Sequence, residues 1–251
     1  MKKPLISILV PVHNSASNLE GCIKSIKKQS HRNLEIIALD DFSSDKSYSI
    51  LRKLKAKEKR LRIYKNVKRY GIAVTMNRLF TKAKGEFLAF ADTNDLFTKN
   101  KLKAQLEFLI KNPQIAAVGT QCIFIDEKGR KIGRSKFPLE NENINQNPLH
   151  GISMQLETVL INKKVLPKDI LKFETGSNPF LYSSIFIKIL PYGKLANLKT
   201  ALYLHRRHPQ TYLTDIKRNV FSLIKLFIKS KAFYENQSPI RSFFSPLIKS
   251  V

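Results

Sequence analysis

The stretch KGEFLAFADTND (residues 84–95) decides the fold, because it joins a short apolar segment to a compact acidic loop. Its apolar part is FLAF (residues 87–90), and its acidic part is DTND (residues 92–95). Residues 6–10 and 34–39 are two earlier segments that are also mainly apolar, and residues 6–10 are rich in β-branched side chains. Short apolar runs bounded by polar loops are typical of buried strands.

Segments with helical periodicity separate these strands. SNLE (residues 17–20) has the form of a capping box, in which a hydroxyl starts a helix and a carboxylate follows three residues later. Further helices are predicted at residues 46–59, 72–83 and 99–111, and a further strand is predicted at residues 61–64. Strands joined by helices of this length form right-handed crossovers. We therefore predict an α/β fold with a Rossmann-like, mainly parallel sheet.

In such sheets, ligands bind beyond the carboxyl ends of the strands. The loops at those ends are residues 12–14, 40–45 and 92–95, so the carboxylates of the first half collect where a ligand should bind. Asp92 and Asp95 supply the oxygen ligands that Mg²⁺ or Mn²⁺ prefers beside a phosphate. A helix-capping turn is the alternative interpretation of the same loop.

The pattern changes after about residue 116. We predict strands at residues 118–125 and 158–161, with a hairpin turn at residues 126–129. Residues 141–147 are predicted as a loop, and residues 185–190 are compatible with a helix or a strand. The chain becomes helical again after Pro209.

The composition is that of a globular chain with an unusual charge. The 251 residues are 43% hydrophobic, and 45 Lys and Arg against 19 Asp and Glu give a net charge of +26. Such a surface attracts nucleic acid, anionic membranes or polyanionic substrates. Two cysteines are too few for a disulfide framework. No apolar run approaches the roughly 18 residues of a membrane span, and the short run after residue 4 is not a convincing signal peptide.

Four blocks of residues resemble the family 2 glycosyltransferases, which have the GT-A fold. They are ISILVPVHN (residues 6–14), LDDFSSD (residues 39–45), Gly71 with Asn77, and KGEFLAFADTND (residues 84–95). Their order and spacing match the family over residues 4–112, and LYLHRRH (residues 202–208) is a weaker match. The resemblance implies an inverting enzyme that uses a nucleotide sugar.

The resemblance also implies roles for particular residues. Asp41 would accept a hydrogen bond from the nucleotide base, with Asp40 supporting it. Asp92, Thr93 and Asn94 would form the D-x-D motif that places Mg²⁺ or Mn²⁺ on the diphosphate. Asp95 is a further candidate metal ligand. The other residues assigned to the nucleotide pocket are Pro11, Val12, His13, Asn14, Gly71 and Asn77.

The chain departs from the family's pattern at a metal-binding position and at the position of the general base. Asn94 stands where the family usually has a metal-binding Asp, and Met76 stands where an Arg is frequent. The family's Glu-Asp pair, which supplies the general base, should fall near residues 181–182, yet residues 175–214 contain no Asp or Glu. Glu174 is the nearest candidate base. Two functions therefore stay open: a transferase, or an impaired relative that binds nucleotide or a partner without transfer.

The division of the chain follows from these matches. Residues 1–115 are predicted to bind the nucleotide sugar, residues 116–210 to form the acceptor side, and residues 211–251 to form a basic amphipathic tail. The expected acceptor is a bacterial surface glycan or a lipid-linked saccharide. We expect a cytoplasmic protein, whose tail either binds the anionic inner face of the membrane or packs on the main domain. Nucleic acid is not favoured as a partner, because no nucleic-acid-binding module is recognised.

Overall fold

The computed structural model describes residues 3–175, 180–206 and 219–230. Nine strands form one sheet in the described part of the chain. The strands are β1 (Ile6–Val12), β2 (Leu34–Asp40), β3 (Leu61–Lys65), β4 (Phe87–Phe90), β5 (Leu96–Phe97), β6 (Ile115–Ile125), β7 (Lys131–Arg134), β8 (Leu160–Asn162) and β9 (Lys194–Arg206). The helices are α1 (Leu19–Lys27), α2 (Ser47–Lys57), α3 (Ile72–Lys82), α4 (Lys101–Lys111), α5 (Asn141–Gln146), α6 (Leu181–Ile189) and α7 (Val220–Ser230).

The first four strands form the predicted parallel sheet, in the order β3-β2-β1-β4. In its register Val12 lies beside Asp40, so β1 and β2 end at the same level. Leu9 of β1 lies beside Phe90, the last residue of β4. The loops that follow these three strands therefore emerge at one edge of the sheet.

The second half continues the same sheet with mixed pairing. β8 is antiparallel to β4 and to β6, and β6 then runs parallel to the long strand β9. The short strands β5 and β7 pair antiparallel with β9 and β6. The sheet is thus parallel in its first half and mixed beyond β4.

Apolar layers cover both faces of the sheet. Successive side chains of a strand point to opposite faces, so Ile8 and Val10 of β1 belong to one core and Leu9 belongs to the other. The first core is completed by α1, α2 and α4, and the second by α3 and α6. Cys22 lies buried in the first core, as its position on the apolar face of α1 predicts.

Several local predictions are wrong. The capping box at residues 17–20 does not form, because α1 begins one residue after Asn18, whose side chain makes no cap. β1 continues past Pro11 to Val12, since the proline lies near the end of the strand. Residues 141–147 are not a loop: Asn141–Gln146 is a helix, fixed by burial of Ile144.

The segments that were hardest to predict lie late in the chain. Residues 158–161 form only part of a strand, because a 3-10 turn at Leu156–Thr158 precedes β8. Within the ambiguous segment 185–190, residues 185–189 belong to α6, and Leu190 begins the 3-10 turn that follows. The predicted helical tail is seen as α7, while residues 207–218 and 231–251 lie outside the described part. None of the described helices is both long and apolar enough to cross a bilayer.

Candidate active site

A cleft of about 340 Å³ opens at the carboxyl ends of β1, β2 and β4. It is lined by Pro11, Val12, His13, Ser15, Asp41, Arg69, Gly71, Ile72, Thr75, Met76, Phe90, Ala91, Asp92, Thr93, Asn94, Leu156, Glu157 and Tyr182. All three loops that the sequence singles out contribute, and they supply six of these eighteen residues. The last three come from the second half of the chain, so both halves contribute to one site.

Asp41 is buried at one side of the cleft and organises the loop before α3. Its carboxylate accepts hydrogen bonds from the side chain of Asn66 (2.7 Å) and from the backbone N–H groups of Tyr70 (2.9 Å) and Gly71 (2.8 Å). Burial alone would raise the pKa of Asp41, but these hydrogen bonds hold it below its ordinary value. Gly71 adopts φ = 83°, a conformation that favours glycine.

The loops after β1 and β2 hold each other by hydrogen bonds. The His13 ring donates through Nδ1 to the carbonyl oxygen of Asp41 (2.9 Å). The side-chain oxygen of Asn14 accepts the N–H of Ser44 (2.9 Å). Asp40 is fully buried, and its Oδ2 accepts the N–H of Ser43 (3.2 Å). Asn14 and Asp40 therefore shape this side of the site without lining the cleft.

Asp92 and Asn94 lie on the opposite side of the cleft. The Asp92 Oδ1 accepts the N–H of Asn94 (2.8 Å), as in a tight Asx turn. The Asn94 side-chain oxygen accepts a hydrogen bond from Asn18 (3.1 Å). Burial, together with the negative charges of Asp95 and Glu157, raises the pKa of Asp92 to about 6.

These donors fit a divalent cation only when the cation is shared with a diphosphate. The described residues include no group of three or more His, Cys, Asp or Glu side chains that could hold a metal ion. One carboxylate and one amide oxygen at the cleft match the way Mg²⁺ is bound through few protein ligands and the oxygens of its substrate. A cation held by the protein alone does not fit this donor set.

Asp95 points away from the cleft and holds β9. Its Oδ2 accepts a hydrogen bond from the Nδ1 of His205 (2.8 Å), and its Oδ1 accepts the N–H of Arg206 (2.7 Å). Asp95 is 1% exposed and does not line the cleft. Burial alone would lower the pKa of His205, but the hydrogen bond and charge of the Asp95 carboxylate raise it above its ordinary value. The structure therefore gives Asp95 a supporting position rather than that of the metal ligand that the sequence suggested.

Two other predicted site residues lie outside the cleft. The Asn77 side chain both donates to and accepts from the backbone of Phe173, at 2.8 Å each, and so fastens α3 to a loop of the second half. Glu174, the candidate base, is exposed and does not line the cleft. Neither residue is placed where it would contact a ligand in the cleft.

Sequence reasoning missed two charged residues that line the cleft. Arg69 lies in a Lys- and Arg-rich segment before α3, is exposed, and lines the cleft. Glu157 lies in the 3-10 turn before β8, and its Oε2 accepts a hydrogen bond from the Nε2 of His150 (3.1 Å). Burial alone would raise the pKa of Glu157, but the charge and hydrogen bond of His150 hold it well below its ordinary value. The signal available in the sequence was the scarcity of acids, 19 Asp and Glu against 45 Lys and Arg, which makes each acid of the second half a candidate.

Comparison with known proteins identifies the family. A model of the family described as "Glycosyl transferase family 2" matches residues 7–170. An uncharacterized glycosyltransferase of Haemophilus influenzae is 33% identical over 165 residues, which is 65% of this chain and 64% of the relative. The putative teichuronic acid biosynthesis glycosyltransferase TuaG of Bacillus subtilis is 34% identical over 109 residues, 43% of each chain. This chain therefore spans less than two thirds of the length of these curated relatives.

Two solved structures share the fold. The Staphylococcus aureus protein TarS (residues 1–349), solved in complex with UDP-GlcNAc, superposes with a TM-score of 0.71 and 17% identity, covering 96% of this chain and 72% of TarS. The mannosyltransferase PcManGT of Pyrobaculum calidifontis, solved with GDP-Man and Mn²⁺, gives a TM-score of 0.70 and 18% identity over 99% of this chain and 69% of PcManGT. The fold is thus of the GT-A type, and the chain belongs to glycosyl transferase family 2.

Proposed function

We propose that this chain transfers a sugar from a nucleotide-diphosphate donor to a hydroxyl group of a bacterial surface glycan or a lipid-linked acceptor. The observation that carries the proposal is the cleft, where Asp41 and Asp92 face the same space at the carboxyl ends of parallel strands. Ligands of open α/β sheets bind at this edge. Membership of family 2 supplies the class of reaction.

The donor is proposed to lie across the cleft. Its nucleoside would occupy the side formed by Pro11, Val12, His13 and Asp41, and its diphosphate would extend toward Asp92. Asp41 keeps acceptor capacity for one more hydrogen bond, because its two oxygens offer about four sites and three are occupied. Arg69, at the mouth of the cleft, supplies positive charge for the phosphates.

The proposed cofactor is Mg²⁺ or Mn²⁺, held by Asp92 and Asn94 together with the diphosphate. Such an ion, when bound, stabilises the negative charge that develops on a departing diphosphate. The solved structure of PcManGT contains GDP-Man and Mn²⁺, which supports a divalent metal as the cofactor of a protein with this fold. Asp95 and Asp40 would act only by fixing the loops around the donor.

The acceptor class is proposed from the relatives. TuaG is named for teichuronic acid biosynthesis. A second relative, WfgD of Escherichia coli, is named as a UDP-Glc:α-D-GlcNAc-diphosphoundecaprenol β-1,3-glucosyltransferase and is 32% identical over 108 residues, 43% of this chain and 42% of WfgD. These activities belong to those proteins, and a surface-glycan acceptor for this chain is a proposal drawn from them.

The test is release of nucleoside diphosphate by the purified chain. UDP-GlcNAc, UDP-glucose and GDP-mannose are each supplied with and without Mn²⁺, using water or octyl glucoside as the acceptor. We expect Mn²⁺-dependent release from one donor. Asp41→Ala should weaken binding of the matching nucleoside diphosphate in calorimetry by about 1–3 kcal/mol, the cost of losing a buried hydrogen-bonding partner.

The matched control is Glu107→Ala, because Glu107 is an exposed acid of α4 far from the cleft lining. It should bind nucleotide as the wild type does. Binding of nucleotide without release from any donor would contradict transfer and identify the chain as a nucleotide-binding relative. Absence of both binding and release would contradict the whole proposal.

A further inference from the structure

We propose that Glu157 is the general base of the transfer reaction, taking the proton from the acceptor hydroxyl in place of the absent Glu-Asp pair. The inference rests on the proposed function. Among the described residues that line the cleft there are three carboxylates, Asp41, Asp92 and Glu157. Glu157 is the one that comes from the second half of the chain.

The other two carboxylates that line the cleft already have other roles. Asp41 holds the loop before α3 through three hydrogen bonds. Asp92 stands in the D-x-D motif and takes the N–H of Asn94. Glu174, which the sequence offered as a base, is exposed and outside the cleft. Glu157 is therefore the carboxylate left to act on an acceptor.

The fold fixes Glu157 in the part of the cleft lining that the second half of the chain supplies. Its 3-10 turn leads directly into β8, whose Leu160 lies beside Ala89 of β4, the strand that delivers Asp92 to the cleft. The buried side chain of Gln105 donates to the carbonyl oxygen of Thr158 (2.8 Å) and so fixes the turn from α4. Glu157 itself is 7% exposed and faces the cleft.

α6 supports this carboxylate from the place where the Glu-Asp pair is missing. The helix begins at Leu181, and its Tyr182 lines the cleft. Its next residue, Ser183, accepts the backbone N–H of His150 (3.0 Å), and the rings of His150 and Tyr182 lie 5.0 Å apart. His150 in turn hydrogen-bonds Glu157 at 3.1 Å. The helix thus positions a histidine that orients the base instead of supplying the base.

The ionisation of Glu157 suits the first step of such a reaction. A general base must start deprotonated and lie within hydrogen-bond reach of the proton it removes. The contact with His150 helps to hold the pKa of Glu157 at about 2 despite its burial, so this carboxylate is ionised at neutral pH. The neighbouring Tyr182 is held neutral, because burial raises its pKa well above the ordinary value.

The step balances in atoms and electrons. The acceptor oxygen forms a bond to the anomeric carbon while its proton moves to the Glu157 carboxylate. The bond between the anomeric carbon and the diphosphate oxygen breaks, and its electron pair leaves with the nucleoside diphosphate. Attack from the face opposite the leaving group inverts the anomeric centre. The proton is then released from Glu157 to solvent.

The experiment compares Glu157→Gln with Glu174→Gln, on the donor that the wild type turns over. Glutamine keeps the size of Glu157 and one acceptor oxygen for His150 but cannot act as a base. We expect Glu157→Gln to lower kcat by about 10²–10⁴-fold, with the Kd for nucleoside diphosphate within about twofold of wild type. Glu174→Gln should keep the wild-type rate. Sodium formate, as an external base, should restore part of the rate of Glu157→Ala, which a merely structural role would not allow.

Each outcome decides the proposal. A wild-type rate in Glu157→Gln would overturn the assignment of Glu157 as the general base without contradicting sugar transfer. Loss of Mn²⁺-dependent nucleotide binding in Glu157→Gln would identify Glu157 as a metal ligand and would also overturn its assignment as the general base. If the wild type releases nucleoside diphosphate from none of the donors, both the proposed transfer and the proposed general base are contradicted. If Glu157→Gln does not fold, Glu157→Asp is tested in its place. A role as general base then predicts that Glu157→Asp has a lower kcat than the wild type and the same affinity for nucleotide.

Discussion

Lys101, the first residue of α4, is a fully buried cation without a hydrogen-bond partner among the described residues. Its ammonium group lies 4.3 Å from the centre of the Phe97 ring and 5.6 Å from that of Tyr203. Burial lowers the pKa of Lys101 to about 7, although the negative charge of Glu157 opposes the change. A lysine in this environment costs stability, because the unfolded chain keeps its ordinary pKa of about 10.4.

Lys101→Met is therefore expected to stabilise the fold near pH 7. Between pH 7 and pH 10 the unfolded wild type binds more protons at this position than the folded protein, so the stability contributed by Lys101 rises with pH. The advantage of Met should be on the order of a few kcal/mol at pH 7 and should shrink toward pH 10. Melting temperatures of both proteins across this range measure the difference.

Lys103→Met is the matched control, because Lys103 is an exposed residue of the same helix and makes only a surface ion pair with Glu107. It should change the melting temperature little at any pH in this range. A Lys101→Met protein that melts below the wild type at pH 7 would show that the ring contacts outweigh the cost of burying the amine.

At the scale of elements, a polar cluster joins the start of β1 to the end of α3. The Ser7 hydroxyl donates to Glu35 (2.6 Å), and Glu35 also accepts the N–H of Lys84 (2.7 Å) and pairs with Arg62 (2.7 Å). The Ser7 oxygen in turn accepts the N–H of Gly85 (2.7 Å). The cluster fixes where the chain leaves α3 and enters β4, and hence where β4 delivers Asp92.

Gly85→Ala should disturb this junction. A Cβ at Gly85 would lie 2.6 Å from the backbone nitrogen of Ser7 and 2.9 Å from the carbonyl oxygen of Leu5, so the backbone must shift. We expect a loss of about 1–3 kcal/mol, typical of overpacking, measured by urea denaturation. Nucleotide affinity should fall as well, because β4 carries the cleft loop.

Gly21→Ala is the control for this prediction. A Cβ there meets only the Leu96 side chain at 3.6 Å, an ordinary contact. Because Gly21 lies inside α1, alanine should be neutral or should stabilise the helix by up to about 1 kcal/mol. Equal stability of the two variants would contradict the proposed strain at Gly85.

At the scale of the whole molecule, the net charge of +26 combines with an apolar surface on α7. Phe221 is 84% exposed and Ile228 is 64% exposed, and the exposed Lys225 lies between them on the same helical face. Leu226, on another side of the helix, is buried. Apolar side chains flanked by lysines suit the interface of an anionic membrane.

Replacing both exposed residues, Phe221→Ser with Ile228→Ser, should weaken binding to vesicles of phosphatidylglycerol and phosphatidylcholine. Each buried side chain of this size contributes roughly 1.5–3 kcal/mol, so we expect at least a tenfold loss in co-sedimentation. Ile110→Ser is the control, because Ile110 is a 59% exposed residue of α4. Equal vesicle binding by the wild type and the double variant would show that α7 is not the contact.

The fold of the first half could be predicted because its signals are local. Short, nearly continuous apolar runs specify β1, β2 and β4, which are buried on both faces, and the helices between them carry their own periodicity. β4 coincides with the predicted residues 87–90. The placement of Asp41 and Asp92 at one edge then follows from the rule that parallel strands end together.

The second half and the details of the site depended on the tertiary structure. α5 is fixed by burial of Ile144, and β5 has only two residues, so neither has enough periodicity to be recognised. Asp95 is turned toward His205 by β9, which is 110 residues away in sequence. Sequence alone determined the family, the parallel half-sheet and the acidic edge, because those follow from nearby residues. Only the folded chain decided that Glu157 lines the same cleft as Asp92, because long-range packing brings the two halves of the chain together there.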